Sequence, residues 1–326
     1  MPQRVIPSPA GEGAGGRRLA DKRDFLSLTD VSRAEAYDVL DLATRLKAAP
    51  KGSHAHVLAG RSVATILEKP SLRTHGSFEV GIAQLGAHPL TLGTNEIALG
   101  TREPIRDAAR VLARYCDAIA YRTFTTERLM EMATAPVPVI NALTDDAHPV
   151  QILADIFTVE EAFAKRGGIA GMRVAYIGNG ASNTARSWLE GARMFGYHLI
   201  LSSPDEFRPP EGEIAAAGDA VSFRNPLAAA AGADVIYTDV WTSMGQETSV
   251  ERHRAVFSDW TVDTNIVSVA PPHAIVLHCL PAHRGEEISD EVIEGPRSRV
   301  WDQAENRLHV QKALLCFLLG VGDTVP

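Results

Sequence analysis

The feature of this sequence that most constrains its fold is a regular alternation of strand-like and helix-like segments. Short apolar runs alternate with amphipathic stretches, and turn-forming residues separate them. In the first half, this pattern predicts elements at Val31–Lys47, Ser62–Leu67, Thr74–Leu85, Pro89–Leu92, Ile105–Tyr115, Ala118–Arg122, Thr126–Ala133 and Val137–Asn141. Thr29 or Asp30 is predicted to cap the first helix. Such alternation is typical of a parallel sheet with helices on both faces.

A long helix divides the chain. The segment Pro149–Lys165 carries apolar residues at helical spacing, and Gly167–Gly168 interrupts the chain after it. A second series follows, with predicted strands at Arg173–Ile177, His198–Ser202, Asp234–Thr238 and Ile275–His278. At roughly 150 residues per domain, a chain of 326 residues predicts two domains. We therefore expect an α/β fold of two mainly parallel sheets covered by helices on both faces and joined by long helices, with domains at 25–150 and 151–303.

The two ends of the chain are predicted separately. Residues 1–24 begin with a Gly- and Pro-rich stretch without the apolar core of a secretory signal, which predicts a disordered extension. The last helix, Ala304–Leu319, fits against either domain by its position alone. We expect the segment 304–320 to pack back on the first domain.

Charge and cysteine content exclude several classes of protein. Asp and Glu number 40 and Lys and Arg 32, and the resulting net charge of −8 argues against nucleic acid or an anionic membrane as a partner. Three cysteines without a CxxC pair argue against a disulfide framework or a zinc site and favour a reducing compartment. No apolar run approaches the ~18 residues of a membrane span. The sequence predicts a cytoplasmic protein.

The segment Ser71-Leu72-Arg73-Thr74 is the first candidate for chemistry. It follows a predicted strand and Pro70, and a helix opens within it. Free N–H groups at a helix start, two hydroxyls and one guanidinium together suit a phosphate group. The alternative is an ordinary capping segment with a surface arginine.

A second candidate lies at the start of the long helix. His148 and Gln151 are three residues apart, so they share one face and can be directed at one small polar group. The alternative is a capping histidine beside a solvated glutamine, which is the commoner arrangement for such a pair taken alone.

Two further candidates follow predicted strands, where ligands of open α/β sheets bind. His278-Cys279-Leu280-Pro281 continues to His283-Arg284, but no carboxylate has a spacing that suggests a metal cage, so we predict no metal. A thiol nucleophile at Cys279 lacks a visible base. The loop Asp239–Glu247 places a carboxylate beside a hydroxyl and Met244, which suits an ammonium group on an aliphatic stem; the alternative is a plain connecting loop.

A fifth segment, Tyr176–Asn183, begins like the glycine-rich turn of dinucleotide-binding proteins. Asn183 stands at the third glycine position, and no acidic residue closes the next strand at Ser202–Ser203. Both features argue against a nicotinamide cofactor and hence against an oxidoreductase. The same turn can hold a carboxylate through its N–H groups and the Asn183 amide.

Taken together, these motifs resemble those of the ornithine carbamoyltransferases, within the aspartate/ornithine carbamoyltransferase superfamily. The resemblance covers nearly the whole chain after residue 24. It rests on S-x-R-T at Ser71–Thr74, H-P-x-Q at His148–Gln151, D-x-x-x-S-M-G at Asp239–Gly245, H-C-L-P at His278–Pro281 and the closing segment Asp302–Lys312.

The resemblance implies transfer of a carbamoyl group from carbamoyl phosphate to the δ-amine of L-ornithine, without metal or organic cofactor. It assigns the catalytic roles to Arg122, His148, Cys279 and Arg307. It assigns carbamoyl phosphate binding to the same four residues together with Ser71, Leu72, Arg73, Thr74, Arg102, Gln151 and Leu280. It assigns ornithine binding to Asn183, Asp239, Ser243 and Met244, and it implies that the Leu280–Pro281 bond is cis.

The resemblance also implies a homotrimer, or a multiple of trimers, with shared active sites. The loop Gly93–Glu103 of one subunit is expected to reach the carbamoyl phosphate of the next, with Arg102 as its cation. Three positions depart from the family's pattern: His75 replaces a common second arginine, Ala98 a glutamine of this loop, and Ser182 the first asparagine of a pair. The departures bear on the tightness of carbamoyl phosphate binding.

Other functions compatible with these residues are kept as alternatives. One is a carbamoyltransferase for another amine, such as putrescine or an N-acylated ornithine. Another is a non-catalytic paralogue that binds ornithine or carbamoyl phosphate. Asp239 and the Ser-Met-Gly loop fit the head group of a free amino acid, which argues against putrescine or an N-acylated ornithine as the acceptor. His148 and Arg122 argue against a non-catalytic paralogue.

Overall fold

The computed structural model of the chain describes residues 22–93, 97–242 and 250–325. Its first sheet consists of β1 (Ser62–Leu67), β2 (His88–Gly93), β3 (Ala118–Arg122) and β4 (Val139–Leu143), in the order β2-β1-β3-β4. Its second sheet consists of β5 (Arg173–Ile177), β6 (His198–Ser202), β7 (Val221–Phe223), β8 (Val235–Thr238) and β9 (Ile275–His278), in the order β7-β6-β5-β8-β9. All these strand pairs are parallel. The predicted α/β class with two parallel sheets is confirmed.

Helices connect the strands, as parallel pairing requires. The helices of the described residues are α1 (Arg33–Ala48), α2 (Leu72–Gln84), α3 (Ile105–Leu112), α4 (Thr126–Met132), α5 (Pro149–Ala162), α6 (Asn183–Phe195), α7 (Glu211–Ala217), α8 (Pro226–Ala230), α9 (Val250–Val256), α10 (Thr264–Ser268), α11 (Asp290–Ile293) and α12 (Val300–Leu318). None of them is long and apolar enough to cross a lipid bilayer.

The start of α1 differs from the prediction. Ser32 caps the helix: its hydroxyl accepts the Glu35 N–H at 3.2 Å, and the Glu35 carboxylate accepts the Ser32 N–H at 2.9 Å. Thr29 and Asp30 belong instead to a separate 3₁₀ turn, which Ser27 caps and in which Asp30 accepts the Ser27 N–H. The prediction of Thr29 or Asp30 as the cap of α1 is therefore wrong, because two capping boxes follow one another here.

The chain is fixed to the first sheet before residue 25. The Lys22 ammonium donates to the Ala133 and Ala135 carbonyls at 2.6 and 2.7 Å, and the Asp24 carboxylate accepts the Val139 N–H at 2.8 Å. The predicted disordered extension 1–24 is thus wrong for residues 22–24, whose charged side chains satisfy backbone groups beside β4. Its remainder, 1–21, lies outside the described residues.

The closing helix α12 lies against α1, α2 and α5. It begins at Val300, four residues before the predicted start. Asn306 of α12 contacts both α5 and α1. Its amide donates to the Thr158 hydroxyl on α5 at 2.9 Å, and its carbonyl oxygen accepts from the Lys47 ammonium on α1 at 2.8 Å. Because α5 connects the two sheets and α12 packs along it, α12 side chains reach the space between the sheets.

The candidate residues converge because parallel strands end at a common sheet edge. β1 and β3 run into Glu68 and Thr123, while β8 and β9 of the second sheet run into Asp239 and Cys279. Open α/β sheets bind ligands at such edges. The fold therefore brings polar residues from both sheets to one cleft, beside the start of α5.

Candidate active site

The segment Ser71–Thr74 forms the start of α2. Ser71 has extended backbone geometry and caps the helix, with its hydroxyl accepting the Thr74 N–H at 3.2 Å. Thr74 is buried, and its hydroxyl faces the Arg307 guanidinium at 3.4 Å. Leu72 points into solvent and is 83% exposed. The first turn of α2 therefore presents backbone N–H groups and two hydroxyls, the arrangement that binds an anion.

Three arginines interact across the cleft beside this helix start. Arg73 is half-buried, whereas Arg122 and Arg307 are almost completely buried. Burial, together with the positive charges of Arg307 and Arg73, lowers the pKa of the Arg122 guanidinium to about 10. Burial likewise lowers the pKa of Arg307 to about 10. An anion of charge near −2 relieves this repulsion, so the cluster suits a phosphate group.

His148 lies at the end of the loop that leads into α5. Its backbone N–H donates to the Ser187 hydroxyl at 2.8 Å, while its buried Nδ1 has no partner among the described residues. Burial lowers the pKa of the imidazole well below 6.5, and Arg307 and Arg122 lower it further. His148 is therefore neutral at pH 7 and has a ring nitrogen available to a ligand.

Gln151 joins α5 to α12. Its side-chain carbonyl accepts from the Arg307 guanidinium, and its amide donates to the Asp155 carboxylate at 2.7 Å. The predicted common face of His148 and Gln151 thus lies toward Arg307, which also raises the charge density around His148. Neither residue is solvated, so the alternative of a capping histidine beside an exposed glutamine does not describe this helix start.

Cys279 and Asp239 meet where β9 and β8 end. The Cys279 thiol donates to the Asp239 carboxylate across 3.0 Å. Burial raises the pKa of this thiol well above 9, and the Asp239 charge raises it further, so the thiolate is scarce at pH 7. A nucleophilic thiol does not fit this environment. The next residue, Leu280, has φ +57°, and its bond to Pro281 is cis.

One cluster of potential metal ligands, Asp239, His278 and Cys279, lies within this part of the cleft. Both ring nitrogens of His278 are occupied: Nδ1 accepts the Leu280 N–H at 2.8 Å, and Nε2 pairs with the buried Glu287 carboxylate at 3.0 Å. A metal ion would have to displace one of these bonds. The residues therefore fit a structural role for His278 better than metal coordination.

The turn after β5 connects the two sheets. Ser182 caps α6, accepting the Ala185 N–H at 3.2 Å, and accepts or donates a bond with the buried Tyr176 hydroxyl at 2.9 Å. Asn183 follows, and its amide donates to the Thr144 carbonyl at 2.6 Å. Asn183 therefore lies at the cleft, with its amide already paired across the two halves of the protein.

The remaining candidates lie on loops. Ser243 and Met244 fall outside the described residues. Arg102 lies in an exposed turn, where its backbone N–H donates to the Ala98 carbonyl at 2.8 Å, and residues 94–96 of the same loop are not described. His75 is exposed on α2, 3.7 Å from the Glu79 carboxylate. Neither Arg102 nor His75, the two described side chains among these, lies among the buried arginines.

Comparisons with known proteins agree with this geometry. The family profile of the aspartate/ornithine carbamoyltransferase carbamoyl-P binding domain matches residues 23–161, and that of the Asp/Orn binding domain matches residues 170–318. This chain belongs to the aspartate/ornithine carbamoyltransferase family. Among its relatives, an ornithine carbamoyltransferase of Sorangium cellulosum is 61% identical over 306 residues, covering 92% of this chain and 98% of that protein.

Solved structures of carbamoyltransferases share the fold. An ornithine carbamoyltransferase from Pyrococcus furiosus is 42% identical with a TM-score of 0.84, covering 92% of this chain and 97% of that one. An N-acetyl-L-ornithine transcarbamylase is 31% identical with a TM-score of 0.79, covering 90% and 99%. The fold is therefore common to carbamoyltransferases whose names state different acceptors.

Sequence reasoning missed several buried residues of this carbamoyltransferase. Asp155 and Gln303 form hydrogen bonds behind Gln151, and Glu287 holds His278. Asp155 is four residues after Gln151 on α5, and this spacing was an available signal for a contact. Gln303 and Glu287 carried no such signal, because their partners are supplied by tertiary packing.

Proposed function

We propose that this chain transfers the carbamoyl group of carbamoyl phosphate to the δ-amine of L-ornithine, giving L-citrulline and phosphate. The observation that carries the proposal is the meeting of Arg73, Arg122 and Arg307 with a neutral His148 at the start of α2. Family membership and the 61% identical relative named ornithine carbamoyltransferase support the same reaction.

The phosphate end of the donor is proposed to bind at the start of α2. Ser71, Leu72, Arg73 and Thr74 surround it, with backbone N–H groups, two hydroxyls and one guanidinium as donors. An arginine presents two parallel N–H groups to a phosphate, which a lysine cannot do. As the C–O bond breaks, negative charge grows on the phosphate, and the same donors stabilise it.

The carbamoyl end is proposed to lie against Arg122, His148 and Thr74. Attack by an amine creates an oxyanion on the carbonyl, and each correctly placed donor to such an oxyanion contributes about 2.7–4 kcal/mol. Gln151, Cys279, Leu280 and Arg307 complete this end of the site. A protonated Cys279 is a contact residue in this scheme, and no covalent intermediate is formed.

Ornithine is proposed to bind between the ends of β5 and β8. Asp239 accepts the α-ammonium group, Asn183 donates to the α-carboxylate, and Ser243 and Met244 contact the head group and stem. The free δ-amine has a pKa near ~10.4, as in lysine, and must be neutral to attack. The surrounding arginines and a partly dry cleft both favour the neutral amine.

The choice of amine is the first prediction. We expect citrulline to form, with ornithine preferred over putrescine and N-acetylornithine, since both lack a free α-ammonium group for Asp239. Loss of one buried charge partner costs about 2–5 kcal/mol, a preference on the order of 30- to 4,000-fold. The measurement is ureido product from carbamoyl phosphate with each of the three amines.

Each competing function gives a different result in this assay. Faster turnover of putrescine or N-acetylornithine would assign the chain to another acceptor. Absence of product from every amine, with carbamoyl phosphate binding intact by calorimetry, would favour the non-catalytic paralogue.

The proposal includes the domain bounds, the cellular location and the oligomeric state. We propose domains at 25–150 and 151–303, with α12 returning to the first, and a cytoplasmic homotrimer whose sites are shared between subunits. The contacts of α12 with α1 and α2 support the first point. Native mass spectrometry of the full chain measures the oligomeric state directly.

A further inference from the structure

Asp155 is a fully buried carboxylate in the middle of α5. Its Oδ1 accepts two hydrogen bonds of 2.7 Å, one from the Gln151 amide on the same helix and one from the Gln303 amide on α12. Its other oxygen, Oδ2, has no hydrogen-bond partner among the described residues. Two side-chain amides from different helices thus donate to one oxygen atom behind the candidate active site.

An ionised carboxylate accepts hydrogen bonds and cannot donate them. Both amide groups must therefore turn their NH₂ toward Asp155 and their carbonyl oxygens away from it. The Gln151 oxygen then accepts from Arg307, and the Gln303 oxygen accepts the His278 backbone N–H at 2.8 Å. A reversed Gln151 amide would instead set its NH₂ against the Arg307 guanidinium, donor against donor.

We propose that Asp155 is a positioning residue that fixes the orientation of both amides, and through them the place of Arg307 and of the loop that follows His278. The proposal rests on the proposed function, because it assigns Asp155 to the site for carbamoyl phosphate. Two parts of that site, one on α12 and one at the end of β9, are thereby held by a single carboxylate.

The orientation depends on the charge of Asp155. Burial raises the pKa of its carboxyl to about 7, while the polar groups of Gln151, Gln303 and Tyr237 that face it lower this pKa. The titratable and charged groups that face it from the packed elements are Arg307, Tyr176, Tyr197, Tyr237 and Cys279. Below this pKa the carboxyl gains an O–H donor, and the requirement that both amides donate to it is lost.

The variant Asp155→Asn keeps the shape and removes the charge. Losing hydrogen bonds to a charged group predicts a fall in kcat/KM for carbamoyl phosphate of roughly 10- to 150-fold at pH 8.5. The ratio of wild type to variant is measured from pH 5.5 to 8.5, so that titration of both substrates cancels. We expect this ratio to shrink below about fivefold at pH 5.5, since the wild-type carboxyl is protonated there.

Thr158→Val is the matched control. Thr158 lies one turn further along α5, is equally buried, and also bonds to α12 through Asn306. Its loss loosens the same helix contact without touching Asp155. We expect a lower melting temperature with kcat/KM within about twofold of wild type at every pH.

The outcomes separate the hypotheses. A ratio that does not change with pH, or a Thr158→Val profile equal to that of Asp155→Asn, would overturn the positioning role while leaving the reaction intact. A wild-type protein that forms no citrulline would instead reject the proposed function itself.

A second variant decides the question should Asp155→Asn melt below the assay temperature. Gln303→Met removes one of the hydrogen bonds that favour the ionised carboxylate, so the acid limb of the activity profile is expected to move to higher pH. An acid limb that stays in place would contradict the proposal.

Discussion

Replacement of Arg73 by alanine is expected to abolish carbamoyl phosphate binding without lowering stability. Arg73 is half-buried at the start of α2, and it interacts repulsively with Arg122 and Arg307. Loss of a buried charge partner costs about 2–5 kcal/mol, so the affinity for carbamoyl phosphate should fall roughly 30- to 4,000-fold. Because the variant removes the repulsion of Arg73 with Arg122 and Arg307, the melting temperature should stay the same or rise.

Two further variants make this expectation specific. Arg73→Lys should recover only part of the affinity, because an ammonium group cannot form the two parallel bonds of a guanidinium. Arg110→Ala on α3 is the control, since its side chain is 70% exposed and, among the described residues, pairs only with Asp107 one turn away. Calorimetry that finds unchanged affinity in Arg73→Ala would disprove the phosphate assignment, as would an equal loss in Arg110→Ala.

The strands of the fold were predictable because each is a short buried run with clear boundaries. The predicted and observed bounds are identical for β1, β3, β5, β6 and β9. β7 was missed, since Val221–Phe223 is only three residues long and half-buried at the sheet edge, which is too short for a periodic pattern. Helix ends were less predictable. Ser27 and Ser32 each cap a helical segment, and only Ser32 caps α1.

Some residues of the candidate site were predictable from the sequence and others were not. Residues that follow a strand or open a helix, such as Arg73, His148 and Asp239, could be selected from the sequence because those positions bind ligands. Asp155 could not be given a role, since its second partner, Gln303, lies 148 residues away. The neutral state of His148 was also unpredictable, because it follows from burial beside Arg307 and Arg122, which only the packed fold supplies.

The second large effect expected is complementation between two inactive variants. The proposed homotrimer places Arg102 of one subunit beside the phosphate held by Arg73 of the next, and within one chain Arg102 lies in an exposed turn. Arg73→Ala and Arg102→Ala should each be nearly inactive as homotrimers, for lack of one phosphate ligand at every site.

Unfolded together in equal amounts and refolded, the two variants should regain activity at about a quarter of sites. In a cyclic head-to-tail trimer, half of the subunits offer an intact Arg73, and half of their neighbours offer an intact Arg102. If both residues served the site of one chain, every site in the mixture would lack one of them. Hybrid trimers verified by native mass spectrometry that show no recovered activity would therefore exclude a shared site, and with it the trans role of Arg102.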